Sequence, residues 1–248
     1  MRIVIAGATG TVGAHVAAVA HARGHDVVAL ARSRGIDIVA GGDPLDEAMA
    51  GADALIDVAS VATMDADAST TFFRTAATHL LASAQRAGVA HVVLLSIVGI
   101  DRIPHGYYAG KVAQEALYAQ SPVPWTTVRA TQFHEFAGQV ASQTKIGPLQ
   151  LAPRARVQPV AAASVAEHLV MIAEGMPQGR AADIAGPREE HLSDMIRAWV
   201  RRRGGRGPVL AVNVPGAQMR GMRQGLALPQ PGAHLIGPTF ADWLAQPR

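Results

Sequence analysis

Short apolar runs recur along the chain and alternate with longer alanine-rich stretches. Five runs are rich in Val, Ile or Leu and are typical of strands buried on both faces of a sheet: Arg2–Ala6, Asp26–Leu30, Ala54–Val58, His91–Ser96 and Thr126–Arg129. The intervening stretches have helical periodicity, most clearly at Val12–Arg23, Thr70–Ala87 and Lys111–Gln120. Strand alternating with helix predicts a parallel sheet covered on both faces, and right-handed crossovers make it a doubly wound α/β fold.

The pattern changes in the last part of the chain. Prolines interrupt it, helices are predicted at Ser164–Glu174 and Leu192–Arg203, and a Gly- and Pro-rich run from Gly204 to Pro238 is predicted to be irregular. We therefore predict a core over residues 1–145 and a smaller C-terminal substrate-binding lobe over residues 146–248, packed together as one unit.

The Gly- and Pro-rich run carries apolar side chains at Met219, Met222 and Leu226. Methionine side chains adapt to varied shapes, so this segment fits a mobile lid over a substrate. It fits a plain surface excursion equally well, and the sequence leaves both interpretations open.

Composition restricts the function classes. The formal charge of +3 comes from basic residues spread along the chain, which makes nucleic acid an unlikely partner. The ten histidines show no metal-binding spacing and there is no cysteine, so no metal site is predicted. No apolar run approaches a membrane span, and no targeting segment is recognisable. We expect a cytoplasmic monomer or homodimer that acts on a small molecule.

Three glycines follow the first predicted strand directly. Gly7, Gly10 and Gly13 have G-x-x-G-x-x-G spacing in "IVIAGATGTVGAHVA". Such a loop lets the backbone approach a diphosphate, and the N-terminus of the next helix offers free N–H groups to it. The spacing alone is weak evidence, since a structural tight turn has the same glycines. Its position between a strand and an amphipathic helix predicts a dinucleotide site, which would also include Thr9, Thr11 and Val12.

The end of the second strand indicates which dinucleotide binds. A carboxylate about 20 residues beyond the glycines normally bonds the adenosine ribose. Here "VVALARSRG" has no acid, and Arg32, Ser33 and Arg34 would suit a 2′-phosphate, so NADP(H) is predicted over NAD(H). The alternative is that these arginines are ordinary surface charges. Asp43 is predicted beside the adenine, and Ala59 and Ser60 beside the ribose.

A tyrosine and a lysine stand four residues apart in "GYYAGKVAQEA". Only two of the 22 basic residues are lysines, Lys111 and Lys145, and Tyr107 precedes the first by one helical turn. The chance of any such pair in this chain is about 0.02, so the match is more specific than the glycines. A nearby ammonium lowers the pKa of a phenol and can also bond a ribose hydroxyl. The alternatives are a packing tyrosine and a solvated lysine.

Ser96 ends the predicted fourth strand and is the natural third member of this group. The carboxyl ends of parallel strands face the ligand crevice, so its hydroxyl would polarise a substrate carbonyl while Tyr107 donates a proton. The alternative is a strand-end cap. We predict catalytic roles for Ser96, Tyr107 and Lys111.

"GATGTVG", Ser96 and "YYAGK" together resemble the short-chain dehydrogenase/reductase superfamily. The order of "GIDIVAGGDPLDEAMAGADALIDVAS", "LLSIVGIDRIPHGYYAGKVAQE", "TTVRATQFHEF" and "GPTFADWL" is similar to its atypical NmrA-like branch, so the resemblance covers most of the chain. It implies a Rossmann fold with a small C-terminal lobe, NADP(H) as cofactor, and a loop beside the nicotinamide that contains Thr131, Gln132 and Phe133.

Three functions compete. The leading hypothesis is an NADPH-dependent oxidoreductase that reduces a small apolar carbonyl, enone or quinone-like substrate. The resemblance also covers proteins that bind the dinucleotide without turnover, so a redox sensor is the alternative. An epimerase acting on a sugar nucleotide is less well supported, because no sugar-diphosphate pattern is evident. The presence of Ser, Tyr and Lys together favours the enzyme.

Overall fold

A parallel sheet forms the centre of the molecule. The computed structural model describes residues 1–247. In this part of the chain the sheet has the strand order β2-β1-β3-β4-β5-β10-β13, and β9 also pairs with β5. All of its pairings are parallel. Its strands are β1 (Arg2–Ala6), β2 (Asp26–Leu30), β3 (Ala54–Asp57), β4 (His91–Ile97), β5 (Trp125–Ala130), β9 (Gly179–Arg180), β10 (Ile184–Ala185) and β13 (His234–Leu235).

Helices cover both faces of this sheet, and further short elements lie beside it. The helices are α1 (Thr11–Ala22), α2 (Asp43–Met49), α3 (Ala66–Ala87), α4 (Tyr107–Ala119), α5 (Phe136–Gln143), α6 (Ala162–Glu174), α7 (Leu192–Arg202), α8 (Ala217–Arg223) and α9 (Phe240–Ala245). Two small sheets are built from β6 (Lys145–Ile146), β7 (Leu149–Pro153) and β12 (Val209–Val212), and from β8 (Arg156–Val157) and β11 (Glu190–His191).

Alternate residues of the strands supply two separate cores. In β4, Val93 and Leu95 pack with residues of α1 and α6, whereas Val92 and Leu94 pack with residues of α2 and α3. This is the two-residue period of a strand, with both faces apolar. A third cluster joins α5, α7, α8 and α9 to the segment before α4.

The predicted doubly wound parallel sheet is confirmed. From β1 the chain passes through α1, on one face of the sheet, to β2 at one side of β1. The next strand, β3, pairs with the opposite side of β1, and the later strands continue in that direction. The strand order therefore reverses between β1 and β3, and ligands of such folds bind in the crevice outside the carboxyl ends of the strands at this point.

The prediction for Gly204–Pro238 is wrong in detail. This run contains β12, α8 and β13 as well as turns. Glycines in this run terminate helices and do not keep helices from forming. Gly204 follows α7 and Gly225 follows α8, and their φ values of +78° and +79° are typical of a residue just after a helix. The division at residue 145 stays a prediction. Residues beyond it supply α6 to one core and β9, β10 and β13 to the main sheet.

Candidate functional site

The glycine loop lies against the segment that follows β3. Gly7 has a φ of +83°, and a Cβ on it would be 2.8 Å from backbone atoms of Ala59. Gly10 donates a backbone hydrogen bond to the Gly7 carbonyl over 2.9 Å, which closes the turn. A Cβ on Gly13 would be 2.1 Å from the same carbonyl oxygen, so only glycine lets α1 pack this close. Gly7 and Gly13 thus have a steric reason to be glycine, and Gly10 closes the turn between them.

The first turn of α1 is open to a ligand. Gly10 precedes the helix and has no side chain to cap it, and Thr9, Gly10 and Thr11 are all exposed. Val12 is buried in the core below. Gln139 of α5 donates a hydrogen bond of 3.2 Å to the Thr11 hydroxyl, a contact that no sequence motif indicates. Uncapped N–H groups and the positive end of the helix dipole fit a dinucleotide diphosphate.

Arg32 and Ser33 lie just beyond the carboxyl end of β2, in one turn of 3₁₀ helix over Arg32–Arg34. Both side chains are exposed, and Arg32 forms no ion pair within residues 1–247. Asp43 is exposed as the first residue of α2. The contact of Arg32 and Ser33 with an adenosine 2′-phosphate, and that of Asp43 with adenine, stay predictions.

Tyr107 meets Ser60 at the carboxyl edge of the sheet. The two hydroxyls share a hydrogen bond of 2.8 Å that links the start of α4 to the segment after β3. The Ser69 hydroxyl of α3 holds the backbone carbonyl of Tyr107 at 2.8 Å. The Phe73 ring packs edge-on against the tyrosine ring at 5.4 Å between centroids. The hydroxyl, the ring and the backbone carbonyl of Tyr107 are therefore each held by a different residue. Ser60 was predicted beside the ribose, and its contact with Tyr107 was not foreseen.

The environment of Tyr107 keeps its phenol protonated. Burial raises the pKa of Tyr107 to about 12, and the hydrogen bond from Ser60 opposes that rise only in part. The predicted lowering of this pKa by Lys111 is wrong for the structure, because the ammonium is engaged elsewhere. A protonated phenol is the form that can donate a proton.

Lys111 is a buried residue and not a solvated helix charge. Its side chain is 3% exposed. The ammonium donates to the Leu95 carbonyl at 2.8 Å and to the Gln114 side chain, and it lies 4.7 Å from the centre of the Phe73 ring. Burial lowers the pKa of Lys111 to about 8, while the carboxylates of Asp57 and Glu115 oppose the shift.

Asp57 organises the interior behind Tyr107. It is fully buried at the end of β3 and accepts hydrogen bonds of 2.8 to 2.9 Å from the Ala59 backbone, the Gln114 amide and the Tyr118 hydroxyl. Burial raises the pKa of Asp57, and the charge of Lys111 is the largest opposing influence. Gln114 thus connects the carboxylate to the ammonium.

Sequence reasoning missed this network, although one signal of it was present. Tyr107, Lys111, Gln114 and Tyr118 follow the i, i+4, i+7, i+11 spacing of a single helix face. A stripe of hydrogen-bonding side chains on the face that packs against the sheet indicates a buried polar network. The partner on β3 is not visible from that spacing.

Ser96 lies on the face of β4 that α4 covers, two residues beyond Leu94. It is 1% exposed, and its hydroxyl has no hydrogen-bond partner within residues 1–247. The structure pairs Tyr107 with Ser60 rather than with Ser96. The proposed action of Ser96 on a substrate carbonyl stays a prediction.

The loop after β5 places its side chains in three different environments. The Thr131 hydroxyl donates to the Gln158 carbonyl at 2.6 Å, and Phe133 packs on the core beside α1 and α6. The Gln132 amide, both of whose polar atoms are shielded from solvent, lies near the Tyr108 hydroxyl but makes no close hydrogen bond in the described part of the chain. Of these three side chains, Gln132 has free capacity to bind a ligand.

Helix α8 and the turn after it cover the segment that leads into Tyr107. A Cβ on Gly99 would lie 2.2 Å from the Leu226 carbonyl, and one on Gly221 would lie 2.8 Å from Ile103. Met222 belongs to the same apolar cluster as Tyr107. Part of this run is therefore packed into the molecule, and its role as a mobile lid over a substrate stays a prediction.

Two further features bear on the ligands of this protein. Within residues 1–247, no three His, Asp or Glu side chains come close enough together to hold a metal ion. No helix in that range has both the length and the apolar character to cross a membrane.

The buried pair of Asp57 and Lys111 yields a stability prediction. Lys111→Met leaves a buried carboxylate without its opposing charge and should lower the free energy of unfolding by about 3 kcal/mol. Adding Asp57→Asn removes that charge, so the double variant should lose at least about 1 kcal/mol less than the sum of the single variants. Urea unfolding of all four proteins measures this coupling.

Arg201→Met is the control for this cycle, because Arg201 is exposed on α7 and forms no ion pair within residues 1–247. When Arg201→Met is combined with Asp57→Asn, the changes in the free energy of unfolding should add within about 0.5 kcal/mol. Additivity of Asp57→Asn with Lys111→Met would show that the two groups do not stabilise each other.

Comparison with known structures finds the same fold at low sequence identity. The NADPH-dependent quinone oxidoreductase QOR2 from Escherichia coli, complexed with NADPH, has a TM-score of 0.72 at 18% identity, over 98% of each chain. MoeE5 in complex with UDP-glucuronic acid and NAD has a TM-score of 0.74 at 15% identity, over 97% of each chain. A nucleoside-diphosphate-sugar epimerase from Staphylococcus aureus has a TM-score of 0.71 at 16% identity, over 99% of this chain and 100% of its own.

A search of curated proteins finds no match to this sequence. A family model described as NAD(P)H-binding matches residues 7–174, which is more than half of the chain and spans the glycine loop, Tyr107 and Lys111. This agrees with the resemblance to atypical short-chain dehydrogenase/reductases that the motifs indicate. The chain belongs to the NAD(P)H-binding family of Rossmann-fold proteins.

Proposed function

We propose that this protein is an NADPH-dependent oxidoreductase that reduces a small apolar carbonyl, enone or quinone-like substrate. The observation that carries the proposal is the hydrogen bond between Tyr107 and Ser60, which holds a protonated phenol beside the glycine loop. The similarity in fold to an NADPH-dependent quinone oxidoreductase supports the same class of reaction.

The residues that would hold the cofactor surround the crevice between β1 and β3. The first turn of α1 would bind the diphosphate, and Arg32 with Ser33 would bind the adenosine 2′-phosphate. Ala59 and Gln132 would lie toward the ribose and nicotinamide. Bound there, a reduced nicotinamide supplies the hydride that becomes attached to the substrate carbon.

Tyr107 would supply the proton that completes the reduction. Its O–H bond breaks as a new O–H bond forms on the substrate oxygen, which balances the negative charge brought by the hydride. Ser60 is exposed to solvent and bonded to the phenol, so it is placed to return a proton to the tyrosine. Lys111 would support Tyr107 indirectly. Its buried ammonium is hydrogen-bonded to the Leu95 carbonyl and to Gln114, and so helps to hold the helix that carries the phenol.

The apolar surroundings support an apolar substrate. Tyr107 shares one hydrophobic cluster with Ile97, Phe136, Met219 and Leu226. Side chains of this kind bind small unsaturated or aromatic molecules through burial, while one or two polar groups fix their orientation.

Replacing the phenol tests the chemistry. Tyr107→Phe should lower kcat/KM for NADPH-dependent reduction of aldehydes and ketones by about 10²- to 10⁴-fold, because the proton donor is lost. NADPH affinity should change by less than about threefold, since the substitution removes one hydroxyl from a transition-state contact. Stopped-flow absorbance at 340 nm and a fluorescence titration measure the two quantities.

Tyr108→Phe is the matched control, because it removes a hydroxyl from the same helix without touching Ser60. It should reduce kcat/KM far less than Tyr107→Phe does. Unchanged turnover of carbonyl substrates in Tyr107→Phe would contradict the role of the phenol. A wild type that binds NADPH tightly but reduces no quinone, aldehyde, ketone or enone would contradict the enzyme and favour the redox sensor.

The cofactor preference has a separate test. Arg32→Ala should reduce the ratio of NADPH to NADH affinity by about 10- to 100-fold, because a guanidinium bound to a phosphate is lost. Arg32→Lys should keep part of that ratio, and Arg201→Ala, which alters an exposed arginine of α7, should leave it unchanged. Equilibrium titrations with both cofactors give the ratio. A ratio unaltered by Arg32→Ala would contradict the 2′-phosphate contact.

A further inference from the structure

A cavity apart from the Tyr107 site lies in the C-terminal part of the molecule. It has a volume of about 420 Å³ and is bounded by β8, the start of α7 and the end of α8. Its lining residues are Arg154, Ala155, Arg156, His191, Ser193, Asp194 and Arg223. Three of these seven side chains are guanidinium groups, so basic residues dominate its polar surface. None of them belongs to the site around Tyr107.

The charges in this cavity are only partly neutralised. Arg156 forms a two-point pair with Glu189 at 2.6 and 3.1 Å, and Asp194 is paired with Arg197. Arg154 and Arg223 have no carboxylate partner within residues 1–247. Two positive charges therefore face the cavity uncompensated.

These two arginines are available to a ligand in different ways. Arg223 donates one hydrogen bond to the Val214 carbonyl at 2.8 Å, which fixes the guanidinium and leaves its other N–H groups free. Arg154 makes no side-chain hydrogen bond within the described residues and is exposed. The Ser193 hydroxyl lies on the same wall, on a residue that is 8% exposed. Planar guanidinium groups beside a hydroxyl recognise the oxygens of phosphate and carboxylate.

We propose that this cavity binds an oxyanion, phosphate or carboxylate, between Arg154 and Arg223. The ligand is held by charge-assisted hydrogen bonds from both guanidinium groups, with Ser193 as a further donor. This binding does not depend on the oxidoreductase function proposed above.

The cavity is connected to the candidate active site through α8. Arg223 is the last residue of α8, and Gln218 near its start approaches Gly106, where an added Cβ would lie 2.8 Å from the Gln218 amide oxygen. Five residues of helix span about 7.5 Å. An anion held by Arg223 would therefore contact one end of a helix whose other end touches the residue preceding Tyr107.

Thermal unfolding in the presence of inorganic phosphate tests this site. Saturating NADPH is included so that phosphate cannot bind at the glycine loop, and chloride keeps the ionic strength constant. Phosphate at about ten times its Kd should raise Tm by about 3 to 6 °C. Arg154→Gln and Arg223→Gln should each abolish most of that rise. Arg74→Gln, which changes an exposed arginine of α3, should retain it.

An absence of any phosphate-dependent rise in the wild type up to 50 mM would overturn the proposal. A rise that persists in both Arg154→Gln and Arg223→Gln would also overturn it, because phosphate would then bind elsewhere. Arg154 is exposed and unpaired within residues 1–247, so Arg154→Gln is expected to fold normally. If Arg223→Gln fails to fold, the Arg154→Gln variant alone decides the test.

The natural anion is either the acidic end of an otherwise apolar substrate that reaches from the Tyr107 site to this cavity or a separate ligand, and a second measurement distinguishes these sources. That measurement rests on the proposed reductase activity, whereas the thermal shift does not. Phosphate that raises KM for a carboxylate-bearing aldehyde, but not for its methyl ester, supports a site for the acidic group of the substrate. Phosphate that raises Tm and leaves both KM values unchanged supports a separate anion.

Discussion

Asp57 buries a carboxylate at the end of β3, where hydrogen bonds must replace water. It takes them from the backbone of the next turn and from two side chains of α4, and the ammonium of Lys111 lies one side chain further away. A buried charge left unpaired is costly, so this group constrains every element around it. The turn after β3 and the face of α4 are held in one arrangement as a result.

That arrangement determines where the reactive groups lie. The bond from Asp57 to the Ala59 backbone fixes the segment that carries Ser60, and the Asp57–Gln114 contact fixes the helix that carries Tyr107. The two hydroxyls meet beside Gly7, whose missing side chain lets the glycine loop approach Ala59. The glycine loop and the Tyr107 hydroxyl thus come together through a network that contains neither of them.

Sequence reasoning predicted the parts of the site that depend on local spacing. The glycines and the Tyr-Lys pair were found because a turn and one helix face dictate them. The Ser60 contact, the Asp57 network and the hydrogen bond from Gln139 to the Thr11 hydroxyl join residues far apart in the chain, and no local pattern encodes them. Helix α8 was missed because glycines near its ends resemble those of an irregular loop.

We propose that Lys111 serves the buried network and leaves Tyr107 protonated, as a proton donor must be. The difference in absorbance at 295 nm between the wild type and Tyr107→Phe, followed from pH 7 to pH 10, tests it most directly. With the pKa of Tyr107 raised to about 12, we expect no phenolate signal from this residue in that range. A phenolate signal with a midpoint below pH 9 would show instead that the ammonium stabilises the ionised phenol.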